Sequence, residues 1–134
     1  MTGFTAVLLY LIWTLLLAVS YAGFRVPMVL LGRKRANHWE RNQAVDDPAI
    51  LVRAKGAHLN CVENFALFAA LVCVAALLNK SPVVDALACY VLYARVGQSL
   101  AHLAGTSLPL VGLRATLFIA QVGLMLYMAY GLLH

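Results

Sequence analysis

The chain has 134 residues, 63% of them hydrophobic and only 11% charged, with ten Lys and Arg set against five Asp and Glu. Soluble domains carry about 25% charged residues, so a monomeric globule in water is excluded. The length suits one domain, residues 1–134, with no room for a second.

Residues 1–24 contain no Asp, Glu, Lys or Arg, and a helix needs roughly 20 apolar residues to cross the hydrocarbon core. The first predicted helix therefore covers about 4–31 and stops at Gly32, ahead of Arg33, Lys34 and Arg35. No basic residue precedes its apolar run, and the run is longer than a secretory signal uses. Pro27 falls late in it and predicts a kink of the kind membrane helices absorb. A polar loop of about 32–49 leads to a second helix, about 50–78, whose one charged residue beyond Gly56 is Glu63. Asn79, Lys80, Ser81 and Pro82 form a turn into a third helix, about 83–104, interrupted only by Asp85 and Arg95. Gly105 to Pro109 separates it from a fourth, about 109–133, with no charge after Arg114. The two-residue alternation of barrel strands is absent. The fold class is all-α, an integral membrane four-helix bundle.

The loop sets the orientation. Five of the ten basic residues lie between Arg25 and Arg41, namely Arg25, Arg33, Lys34, Arg35 and Arg41, and Arg53 and Lys55 follow. Basic loops stay in the cytoplasm, which places the 1–2 and 3–4 connections inside and both termini outside. The same charges attract anionic membrane lipid and, lying against the bilayer, predict no nucleic-acid partner. Cys61, Cys73 and Cys89 form no C-x-x-C pair and the four His have no ligand spacing, so no metal is expected.

Two helices carry polar stripes at membrane depth. At 100° per residue, Arg53, Asn60, Glu63 and Asn64 share a sector about 100° wide, with His58 facing away. In the third helix Arg95, Gln98, Ser99 and His102 follow i, i+3, i+4, i+7 spacing. A charge at a helix centre costs about 2.5–3.5 kcal/mol against lipid, so these stripes face protein or water, and Glu63 and Arg95 are each other's first candidate partner. A buried ion pair is a weak way to gain stability, and it leaves the surrounding Asn, Gln, Ser and His unexplained. A polar ligand site accounts for them. With helix two leaving the cytoplasmic side and helix three returning to it, Arg53, Asn60, Glu63, Arg95, His102 and Arg114 are expected to line one cavity in the inner half of the bilayer.

At these residues the chain resembles the MAPEG family, the membrane-associated proteins in eicosanoid and glutathione metabolism, as a bacterial-type member. The resemblance rests on Arg53-x-x-x-Ala57-His58-x-Asn60-x-x-Glu63-Asn64, on Ala94-Arg95-Val96 and on Arg114, and spans essentially the whole chain. It implies a homotrimer in the bacterial inner membrane with sites between subunits, binding glutathione in a folded shape. Carried over by position, Arg53, Asn60 and Glu63 hold the tripeptide's charged groups, Arg95 sits beneath it, and Arg114 stabilises its sulfur as thiolate. Gln98 and His102 stand at site positions where some relatives carry His and Tyr; Leu59 stands where many carry Arg. Arg33 or Arg35 of the loop also contributes. Two functions follow from the resemblance: a glutathione transferase or peroxidase acting on lipophilic substrates, or a non-catalytic lipid-binding or scaffold protein. Four short spans with no broken-helix pair argue against a transporter.

Overall fold

A computed structural model describes residues 1–40 and 46–134; Arg41 of the basic loop lies outside the described residues. The chain folds into four helices, α1 (Gly3–Leu30), α2 (Ala49–Leu77), α3 (Ser81–Ala104) and α4 (Leu108–Leu133), and the described residues contain no strand. At 1.5 Å per residue the helices are roughly 36 to 44 Å long.

Their ends have local causes. Thr2 caps α1 by accepting from Thr5 N at 3.2 Å, and a second acceptor for its free amides comes from Asp85 of α3, which takes the Gly3 N–H. At the other end Gly32 adopts φ +69°, with Arg33 N bonded to Met28 O and Gly32 N to Val29 O. That is the Schellman ending, which requires a left-handed residue past the last turn. Asn79, at φ 56°, ends α2 in the same way, with Lys80 N on Ala75 O. Pro82 and Pro109 sit in the first turns of α3 and α4, where a missing N–H costs nothing. α1 continues through Pro27 to Leu30.

Three helices, α1, α2 and α4, are long and apolar enough to cross a membrane. α3 has the length but not the apolar content, and the reason is its place in the bundle. It packs against each of the other three helices, while α1 and α4 do not touch and α2 meets α4 only lightly. Its polar stripe is covered by protein: Arg95, Gln98 and Ser99 are all buried. Lipid never has to solvate them. Ala6, Ala57, Ala75 and Ala88 are also buried, and side chains this small let the backbones approach closely. Tyr10, Phe68 and Met128 fill the remaining space, whereas Leu8, Leu15, Leu16, Leu30, Leu108 and Leu133 point outward.

Candidate functional site

Because α3 returns between them, α2 and α4 run in the same direction, with a gap between them floored by α3. Toward the end carrying the 3–4 connection this gap is a hollow of about 340 Å³, lined by Asn60 and Glu63 of α2, Gln98 of α3, and Val111, Arg114, Ala115 and Phe118 of α4. Farther along the gap becomes an apolar groove of about 520 Å³, walled by aliphatic residues of α2 and α4 with Asn64 at its edge. Asn64 follows Glu63 directly, and Val122 of the groove lies one turn beyond Phe118 of the hollow. A polar chamber thus adjoins a greasy one.

Within the hollow, Glu63 is exposed and makes no ion pair; among the described residues the ion pairs are Arg25–Asp47, Lys34–Asp46 and His38–Asp46. Arg114 approaches from α4 with its Nε buried and without an acceptor among the described residues. Gln98 is fixed from below, since Gln121 Nε2 donates to its Oε1 at 3.0 Å and also to Leu117 O at 3.0 Å. Gln121 is 1% exposed and was not singled out from the sequence, although it is the only side-chain amide in the charge-free stretch 115–134. A lone amide in such a stretch is the signal that would have found it.

Arg53 and His102 flank the hollow. Arg53 Nε donates to Leu103 O at 2.9 Å, so the guanidinium caps the carbonyl end of α3, where positive charge is favoured. The His102 ring lies on Gly56: a Cβ there would stand 2.9 Å from its Cε1. Only the missing side chain lets the imidazole settle on α2, with its Nδ1 3.4 Å from Asn60 Nδ2. Asn64 donates to Asn60 O at 3.3 Å.

Arg95 departs from the expected cavity. It is 1% exposed and turns toward α1, its guanidinium carbon 5.8 Å from the Tyr10 ring centroid, and its Nε and Nη2 have no acceptor among the described residues. The expected Glu63–Arg95 pair is not formed. A stripe spaced i, i+3, i+4, i+7 holds one direction but runs about 10 Å along the helix axis, and beside three neighbours its members meet different partners at different depths. Gln98 faces α4, His102 faces α2 and Arg95 faces α1. The single cavity expected for six residues is therefore smaller: Asn60, Glu63 and Arg114 line it together with Gln98, Arg53 and His102 stand beside it, and Arg95 lies outside it. His58 also turns away, as its helical angle requires, with its Nδ1 2.8 Å from the Tyr21 hydroxyl. The three cysteines are free, Cys61 buried with its Sγ 3.4 Å from Ser99 Oγ.

Opposite charges from two helices, amides between them and an adjoining groove form a chamber able to hold a small zwitterionic molecule beside an apolar one. No curated protein and no solved structure matches the chain. A family model does, over residues 3–134, and its description is the MAPEG family. With three helices fit to cross a bilayer and a match over essentially its whole length, the chain is a multi-pass integral membrane protein and belongs to the MAPEG family.

Proposed function

We propose that the protein is a membrane-bound glutathione transferase or peroxidase acting on lipophilic electrophiles or lipid hydroperoxides. The observation that carries this reading is Glu63 and Arg114 lining one hollow with Asn60 and Gln98, next to an apolar groove. Glutathione has an ammonium group for Glu63, carboxylates for Arg53, and amides for Asn60, Gln98 and His102. Its sulfur belongs at Arg114. A free thiol has a pKa of about 8.5 and only the thiolate is nucleophilic; a guanidinium that lacks an acceptor favours the ionised form. The thiolate attacks the electrophilic carbon, a C–S bond forms, and the leaving group departs with its electron pair. With a hydroperoxide it attacks the terminal oxygen, and a second glutathione completes reduction to alcohol and water with release of the disulfide. Neither route requires a protein nucleophile.

The reading includes a homotrimer with the hollow closed by a neighbouring subunit. Glu63 and the flanking Leu59, Val62 and Leu67 are exposed in the single chain, and a carboxylate left against lipid at this depth costs about 2.5–3.5 kcal/mol. A second copy over this face removes that cost. The reading also places the hollow toward the cytoplasm, where glutathione resides, in line with the basic loop. A second reading, non-catalytic lipid binding, draws on the apolar groove of about 520 Å³.

The test is spectroscopic. Detergent-purified protein given glutathione should develop thiolate absorbance in the short-wavelength ultraviolet, and Arg114→Ala should remove it. An unchanged spectrum together with tight fatty-acid binding would replace the first reading with the second.

A further inference from the structure

The described basic residues of the loop region fall into two kinds. Arg25 is fully engaged: its Nε and Nη2 lie 3.0 and 2.8 Å from Asp47 Oδ2, and its guanidinium carbon stands 5.2 Å from the ring centroids of both Tyr21 and Trp39. Trp39 Nε1 donates to the other Asp47 oxygen at 2.8 Å, and that carboxylate is 2% exposed. Lys34 and His38 share Asp46, whose carboxyl is held down to about 2 by Lys34 and then His38. Arg33 and Arg35 are different. Both are exposed, and neither pairs with any of the five acids of the chain, all of which are described. Asp46 and Asp47 of the same loop are committed elsewhere, and Glu40 forms no ion pair with either arginine.

The turn carrying these two guanidiniums joins the walls of a hollow of about 280 Å³, lined by Arg25, Val26, Val29, Leu30, Ala36 and Trp39. Its interior is aliphatic and indole, its one charge is neutralised by Asp47, and it opens beside the exposed Val26, Leu30 and Leu31 at the end of α1. We propose that this hollow seats one anionic phospholipid, with its phosphodiester between Arg33 and Arg35 and its glycerol and upper acyl carbons against Val26, Val29 and Leu30. A soluble anion has no use for the apolar wall. A zwitterionic headgroup brings an ammonium that two unpaired guanidiniums repel. An anionic phospholipid uses both parts, and Trp39, its N–H turned inward to Asp47, offers ring carbons at the depth where indoles favour the interface. The walls of this hollow share no residue with the hollow between α2 and α4; Arg33 and Arg35 are also the loop residues the family resemblance gives to glutathione, and the test separates the two uses.

Native mass spectrometry of the detergent-purified protein, titrated with phosphatidylglycerol or phosphatidylcholine, tests the seat. Phosphatidylglycerol is expected to be retained in preference, and R33Q/R35Q to weaken it about 25-fold, at about fivefold per basic residue. Val29→Trp fills the hollow without changing charge and should also weaken retention; Ala36→Trp does the same from the turn should Val29→Trp disturb α1. Retention that falls in R33Q/R35Q but not in either Trp variant would reduce the effect to diffuse surface attraction and overturn the seat. Equal retention of the two lipids overturns it too. So does inorganic phosphate binding with the same arginine dependence while lipid does not, or loss of glutathione binding in R33Q/R35Q with lipid retention intact.

Discussion

Between α1, α2 and α3 the hydroxyls of Tyr10, Thr14 and Ser99 each donate to a backbone carbonyl, at 3.0, 2.9 and 2.9 Å. Between α2 and α4, among the described residues, Glu63 has no ion-pair partner and Arg114 Nε no acceptor. Both regions carry polar residues in the middle of long helices, yet one spends them on itself and the other holds them out. The packed side is scaffold, because a hydroxyl bonded to the carbonyl of its own or a neighbouring helix needs nothing from outside. The open side is where a ligand has something to gain. Arg95 belongs to the packed side although two of its nitrogens lack acceptors; the Tyr10 face supplies cation–π attraction in their place.

Substitutions can break this contrast from either side. The largest stability loss is expected on the packed side: Phe68→Ala, at a fully buried ring, should cost about 3–5 kcal/mol, read as a fall in the thermal midpoint of unfolding in detergent. Arg114→Ala should leave that midpoint nearly unchanged and lower kcat on the order of 10²–10³-fold, the effect of removing one preorganised charge from a developing anion; a kcat within threefold of wild type would remove Arg114 from the chemistry. Glu63→Gln should weaken glutathione binding by about tenfold, or about 1.4 kcal/mol, with the oligomer intact by native mass spectrometry. A variant that dissociates instead makes Glu63 a fastener between subunits. Tyr10→Phe deletes the bond to Cys61 O and should cost about 1 kcal/mol, with glutathione binding unaltered.

The smallest effect lies in the loop. Asp46 has its carboxyl lowered from 3.8 to about 2 by Lys34 and His38. A depressed carboxylate contributes stability that is fully present above its unfolded value and lost as pH falls through the folded one. The Asp46→Asn midpoint should therefore lie slightly below wild type above pH 4 and converge with it near pH 2. Because the group is exposed, salt should shrink even that difference.

Gly32 and Asn79 show why so much of the fold could be read from residues alone. A Schellman ending asks for a residue that tolerates positive φ directly after the last helical turn, and both positions meet that demand from within a few neighbours. The gathering of Asn60 and Glu63 on one face of α2 was equally local. Asp85 was not: it appeared as an interruption of an apolar run, and only the bundle brings its carboxylate to the Gly3 N–H at the start of α1. Gln121 belongs to no polar stripe of its own helix, and its partner Gln98 lies on another.

Apolar runs long enough for a bilayer, the residues that stop them and the polar stripes along α2 and α3 were set by the order of amino acids, since each depends on neighbours within a turn or two. Which stripe residues share a chamber was decided by packing. α3 sits among three helices, so residues aligned along one of its faces are dealt to different partners: Arg95 to Tyr10, Gln98 to Gln121 and His102 to the bare backbone at Gly56. Periodicity gives a direction around a helix axis, but what stands in that direction depends on contacts far apart in the chain.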